Sequence, residues 1–354
     1  MGAAPDTKPA QSGVAEKPRM LFVDGLRGIA SLMVVAYHLG ERSGIAFLTS
    51  RGYLGVGIFF VLSGFVIASV ADRGAVSLGY IGRFAARRVV RLDIPYWVSI
   101  MAAIAFAALA LRFGAAWPGY TFGQIAAHLF YLQDILGFNA ISDTYWTLCF
   151  EIQFYLTLLV LLWGGRRLPA AVFRVAFLLT VVLSLLASTA IIGTPRGAMF
   201  AYWWAFALGA VTWWTLRGGP LWVFAVALVI VLSSPLAEHA DWRWVGALTA
   251  SLLLAASRLG TMGKWLSDRV SQFFGHISYS LYLFHPIIGW SAQSFALRHF
   301  NQSVALALGV GVSIVAAWLA YVIIERPAMN LSRRVPLRAS RPTPAAACVA
   351  LEDR

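Results

Sequence analysis

Residues 23–39 read VDGLRGIASLMVVAYHL. The run is apolar, yet it carries three groups that lipid disfavours: Asp24, Arg27 and His38. Arg27 and His38 lie eleven residues apart. At about 100° per residue that spacing is three turns plus roughly 20°, so both side chains share one face of a helix. The imidazole then stands about 16 Å further along the axis than the guanidinium. An Arg at the centre of a membrane helix costs about 2.5–3.5 kcal/mol, and less near an end. Ionisable groups held at that cost mark a pathway or a site. The bland reading is a snorkelling Arg and a His satisfied against a neighbouring helix.

The whole chain repeats this apolar character. Of its 354 residues, 60% are hydrophobic and 12% charged, half the charged fraction of a soluble protein. The expected fold class is therefore all-α, a polytopic membrane helix bundle. Ten candidate spans stand out: 22–40, 53–71, 94–112, 144–163, 171–192, 198–216, 220–236, 242–258, 277–294 and 303–324. The first is read as a retained helix rather than a cleaved signal, because cleavage would discard Arg27 and His38. The expected organisation is a disordered cytoplasmic N-terminus (1–20), a membrane domain (21–326) and a disordered basic tail (327–354).

Lys and Arg orient the bundle. With the N-terminus in the cytoplasm, 21 of the 28 fall inside and 6 outside, and Arg27 lies within the first span. That asymmetry predicts both termini in the cytoplasm. It also accounts for the net charge of +13 without nucleic acid as a partner. Two cysteines, Cys149 and Cys348, suggest neither a disulfide framework nor a metal cluster.

Further polar groups recur at marked places. Arg83, Arg87, Arg88 and Arg91 alternate with Phe84, Val89 and Val90 in the segment before the third span, which reads as an interfacial helix. Its arginines either touch anionic lipid or grip the phosphates of a cytoplasmic ligand. The external segment 113–143 holds Trp117, Tyr120, Phe122, His128, Phe130 and Tyr131. These aromatics fit an interface belt or stacking on a sugar or lipid headgroup. The fourth span carries Glu151 at a depth compatible with His38, so a carboxylate could orient the imidazole for acid–base work at a hydroxyl. The bland reading pairs Glu151 with another polar group in the bundle. In the ninth span Ser278, Tyr282 and His285 share a face. Ser278 reads as interhelical glue, and the spacing leaves His285 open.

In order along the membrane region, these residues resemble acyltransferase family 3, bacterial membrane-bound O-acyltransferases that modify surface and secreted glycans. Residues 24–28 (DGLRG) with His38 are similar to its Arg-x10-His pattern, and residues 55–65 (GVGIFFVLSGF) to its second-helix signature. Arg88-Val89-Val90-Arg91 followed by Pro95 resembles its Arg-x-x-Arg loop. Residues 146–155 (WTLCFEIQFY), residues 277–286 (ISYSLYLFHP) and Glu325-Arg326-Pro327 complete six matches. Gly57 stands where many members carry Asp, Thr147 replaces a common Ser, and Ile152 replaces a frequent second Glu. The family's frequent extra C-terminal hydrolase-like domain is not expected after residue 326.

The resemblance implies a multi-pass protein of the bacterial inner membrane. It would move an acyl group, most often acetyl, from cytoplasmic acyl-CoA to a hydroxyl of a glycan or glycolipid, with no permanently bound cofactor. Arg88 and Arg91, helped by Arg27, would hold the donor. His38 would be the base with Glu151 orienting it, or would carry the acyl group as an acyl-imidazole. A transporter or exporter of a small acid or glycan-lipid is the competing reading. The sequence shows no internal repeat and no paired helix breaks to support it.

Overall fold

Apolar runs at helical period form helices here because lipid offers backbone groups no alternative partner. A computed structural model describes residues 20–337, apart from 42, 72–75, 115, 190–192 and 235–239. Its helices are α1 (Leu21–Gly40), α2 (Ala46–Thr49), α3 (Leu54–Ala71), α4 (Leu78–Arg88), α5 (Ile94–Leu111), α6 (Phe122–Leu129), α7 (Tyr145–Gly165), α8 (Ala170–Ser188), α9 (Trp203–Leu216), α10 (Leu221–Ser233), α11 (Asp241–Arg258), α12 (Arg269–Phe284), α13 (Trp290–Ala296), α14 (Gln302–Ala320) and α15 (Arg326–Ser332). No strand occurs among the described residues. The protein is an all-α, multi-pass membrane protein, with six continuous helices among the described residues long and apolar enough to cross a bilayer. They include Leu78–Leu111 and Gln302–Ser332. The other four expected spans fall on α9, α10, α11 and the α12–α13 rod.

Two expectations need correction. The arginine-rich segment 83–91 is not a separate interfacial helix. It continues through a π-turn at Val89–Asp93 into α5, giving one rod from 78 to 111. Ser77 caps its start, its hydroxyl accepting from Tyr80 N at 3.2 Å. The second correction concerns the tail, whose first residues are helical. The rod from α14 runs through a π-turn at Tyr321–Glu325 into α15 and ends at Ser332. Buried Ala328 and Ser332 hold α15 to the bundle, where it packs on the 89–93 turn. The expected disordered stretches at 1–19 and from 338 onward lie outside the described residues.

Three rods widen to π geometry: at Val89–Asp93, at His285–Gly289 between α12 and α13, and at Tyr321–Glu325. Each has a proline within or just after the turn: Pro95, Pro286 and Pro327. Proline lacks an N–H, and its ring collides with the carbonyl four residues back. Widening the turn relieves the collision without breaking the rod.

Lipid supplies no hydrophobic drive between helices, so close backbone approach matters. The α3–α9 pair achieves it through Gly64, which lies against the Phe206 carbonyl, and Gly209, which lies against the Val61 carbonyl. Gly28 and Gly275 do the same between α1 and α12, and Gly55 abuts the Ala30 carbonyl between α3 and α1. An aromatic layer fills the space beside α3: Phe60 stacks on Phe206 at 4.4 Å, and Phe206 on Phe154 at 4.4 Å. Gly64→Val should therefore lose most folded protein, since its Cβ meets backbone that cannot yield. Gly82→Ala, on an open helix face, should gain up to about 1 kcal/mol. Thermal unfolding in one detergent compares the two; a folded Gly64→Val protein of wild-type stability would contradict the α3–α9 contact.

Candidate functional site

The π-turn of the α4–α5 rod turns its arginines into the bundle. Arg88 lies on its first flank and Arg91 within it. With Arg27 of α1 they line an internal cavity of about 80 Å³, ample for ordered water or a small anionic group. The rest of the wall includes Ser63, Thr147, Glu151, Ser278, Tyr279 and Tyr282, with Phe59 and Leu62 among the apolar members. Among the described residues the cavity carries three guanidiniums and one carboxylate. Arg88 and Arg91 thus face the inside of the bundle.

Arg88 is held by its surroundings. Its guanidinium lies 4.2 Å over the Tyr155 ring and 5.9 Å from that of Phe84. Glu151 Oε1 stands 3.8 Å from its nearest nitrogen, with the two side chains 15% and 22% exposed. The same Oε1 accepts the Ser63 hydroxyl at 2.9 Å. Arg88 Nε and the Tyr155 hydroxyl are buried with no hydrogen-bond partner among the described residues. Two unspent donors and a cationic excess are the features an anionic ligand would use.

Glu151 does not meet His38. The carboxylate belongs to the arginine cavity, and the ring touching His38 is His285, Nδ1 to Nε2 at 2.9 Å. This corrects the expectation that Glu151 orients His38. Both histidines lie towards the C-terminal ends of paired helices, α1 and α12. That parallel placement was the sequence signal for the pair. α13 secures the end of α1: Trp290 Nε1 donates to the His38 carbonyl at 3.0 Å and Gln293 Nε2 to the Leu39 carbonyl at 2.8 Å. These are carbonyls of the last turn, which lack helical partners.

Tyr282 connects the two centres. It lines the cavity, and its ring centroid lies 6.3 Å from that of His285. It packs edge-on to Phe59 at 5.7 Å. Its hydroxyl meets Thr147 Oγ1 at 2.6 Å and the Thr144 carbonyl at 3.1 Å. Tyr282 is thus the interhelical tie expected of Ser278. Ser278 donates to the Gly275 carbonyl of its own helix at 2.8 Å and lines the cavity. A second buried carboxylate, Glu325, emerges from the last π-turn and accepts the Ser280 hydroxyl at 2.6 Å. Sequence reading had marked it only as the close of the final span.

The segment 113–143 divides its aromatics. Tyr131 enters the bundle at φ 58°, stacks on Tyr96 at 4.6 Å and donates to Asp93 Oδ1 at 2.9 Å. His128 is a structural staple: Nδ1 bonds the Gln124 carbonyl at 2.8 Å, and Nε2 accepts Ile141 N–H at 3.0 Å. Burial pushes its pKa below the ordinary imidazole value, which favours the neutral ring both bonds require. Phe122 and Phe130 stay outside, 88% and 71% exposed.

Comparison with known proteins agrees with the motifs. A family model described as an acyltransferase domain matches residues 20–322. BcsY of Komagataeibacter xylinus, named as a membrane-bound transacylase, is 27% identical over 366 residues, covering 91% of this chain and 86% of the relative. The acyltransferase MdmB of Streptomyces mycarofaciens is 28% identical, with 92% and 96% covered. The exopolysaccharide production protein ExoZ of Rhizobium meliloti (strain 1021) is 26% identical, with 84% and 95% covered. No solved structure matches the chain.

The Arg88–Glu151 contact gives a stability prediction. Glu151→Gln keeps an acceptor for Ser63 but strips the counter-charge, and should cost about 1–3 kcal/mol. Adding Arg88→Gln should recover part of that loss. Strictly additive losses in a detergent unfolding cycle would show that the two charges do not interact.

Proposed function

From the premise that the chain belongs to acyltransferase family 3, a family of bacterial membrane-bound O-acyltransferases, we propose that it moves an acyl group from acyl-CoA to a hydroxyl of an exported or surface glycan. The observation that carries this reading is the cavity with Arg27, Arg88, Arg91 and a single lining carboxylate. A phosphorylated donor is the chemistry that neutralises such a wall, and Arg forks match phosphate oxygens. Acetyl is the acyl group we favour. The names of relatives point to the acceptor class, since one is an exopolysaccharide production protein.

In this reading both termini face the cytoplasm and the donor enters from that side, with ten crossings in all. Arg88 and Arg91 grip its phosphates, and Arg27 draws its charged part to the start of α1. Glu151 holds Arg88 in place rather than touching the reacting atoms. The thioester reaches past Phe59 and Tyr282 towards His38. The acceptor hydroxyl gives its proton to the His38 imidazole as its oxygen bonds to the thioester carbonyl carbon. The carbon–sulfur bond then breaks, and the departing thiolate takes the proton back from the imidazolium. The products are an ester and free CoA.

Titration of the detergent-purified protein with acetyl-CoA, with free CoA followed over time, tests this. Wild type should bind saturably and release CoA slowly. Arg88→Gln/Arg91→Gln, checked for folding by gel filtration, should bind at least about 100-fold more weakly, the cost of two charge-assisted bonds. His38→Ala should bind normally and release none. Undiminished CoA release by His38→Ala would overturn the role of His38, and absence of binding in wild type would favour a transporter.

A further inference from the structure

The His38–His285 contact has a direction that the third member of the chain sets. His285 Nδ1 lies 2.8 Å from the Leu281 carbonyl, and a carbonyl can only accept. Nδ1 of His285 therefore carries a hydrogen. A neutral imidazole has one N–H, so His285 Nε2 then offers a lone pair. That atom faces His38 Nδ1 at 2.9 Å. His38 Nδ1 must be the donor, which leaves the lone pair of His38 on Nε2. The relay runs from His38 Nδ1–H to His285 Nε2, and from His285 Nδ1–H to the Leu281 carbonyl.

The alternative, an imidazolium at His285, would reverse the first bond. His285 is wholly buried, and its ring meets the Tyr282 and His38 rings and the Leu281 carbonyl, with no carboxylate within salt-bridge distance among the described residues. A cation there would have no counter-charge in contact. The neutral relay satisfies every nitrogen it uses. It also fixes ring orientation, since the His38 ring is held between His285 at 5.1 Å and the edge-on Trp290 at 6.0 Å.

We propose that His285 is a positioning residue that locks His38 in its Nδ1–H tautomer and presents the Nε2 lone pair as the base for the acceptor hydroxyl. This rests on His38 being the base, and it assigns the function of the His-Pro pair that follows α12. Pro286 belongs to the same device. It places His285 at the head of a π-turn, where the ring can bond back to Leu281 while Nε2 faces α1.

The test is nitrogen NMR of the full chain in lipid nanodiscs with ¹⁵N-labelled histidine, at about pH 8, above the ordinary imidazole pKa. His38→Gln assigns the His38 signals among the six histidines. In wild type His38 Nδ1 should show the protonated shift and Nε2 the lone-pair shift. His285→Ala should move His38 towards the Nε2–H form that free imidazole side chains prefer. A wild-type His38 protonated at Nε2, or a tautomer unmoved by His285→Ala, overturns the proposal. Kinetics supply a second readout, and should His285→Ala not fold, the wild-type His38 shifts alone decide. His285→Gln presents an amide oxygen to His38 and an N–H to Leu281, so it should keep kcat within about threefold of wild type. Folded His285→Ala should lose about 10- to 100-fold in kcat, part of what a general base contributes, with KM for acetyl-CoA unchanged. Equal impairment by Gln and Ala through a raised KM would mark His285 as merely structural. If His38→Ala still releases CoA while the NMR result holds, the base assignment fails and the relay stands. If the NMR result fails while His38→Ala is inactive, only the relay falls.

Discussion

Three guanidiniums inside an apolar bundle are the constraint on which this structure depends. Each is costly away from water, and together they cannot be neutralised by the single carboxylate on their cavity wall. The bundle answers partly with Glu151 beside Arg88, partly with the Tyr155 face beneath that guanidinium, and partly with buried Glu325 nearby. What remains is a positive excess and two unused donors. A purely structural bundle would gain from replacing such a cluster with apolar residues. Retaining it makes sense where a phosphorylated ligand completes the charge balance.

The device that places these groups is the same in each of the three interrupted rods. A proline forces the helix to widen, and the widened turn carries Arg91, His285 or Glu325. A regular helix would carry these side chains at a fixed angular step. One extra residue in a turn shifts the register and aims a polar side chain inward without ending the helix. The prolines of the Arg-x-x-Arg, His-Pro and Glu-Arg-Pro segments thus have a single geometric job. Glycine contacts between α1 and α12 then bring the helices close enough for the two imidazoles to touch.

The site has two centres joined by Tyr282. Towards the N-terminal end of α1 lies the arginine cavity, and towards its C-terminal end lies the histidine pair. This separation suits a donor that carries its charge at one end and its reactive thioester at the other. The segment 113–143 is tied to the bundle by Tyr131 and stiffened by the His128 staple. Phe122 and Phe130 on the same segment stay exposed.

The sequence by itself determined the fold class, the membrane setting and the family, and it singled out Arg27, His38, Arg88, Arg91 and Glu151 as candidates. Apolar length, Lys and Arg asymmetry and short motifs are local quantities, and a bilayer makes local apolarity decisive. Partnership was not legible. Glu151 was expected at His38 because the two depths matched, but depth does not give azimuth, and the bundle turns Glu151 to Ser63 and Arg88 instead. The arginine segment read as an interfacial helix because its charges suit a membrane surface. Only packing of α15 and α7 against it reveals a buried wall. His285 had no decisive signal within its own helix, since its function lies in a contact 247 residues away in the chain. Tertiary structure alone decided which imidazole faces which, because that depends on backbone approach at glycines and on the register shift of a π-turn.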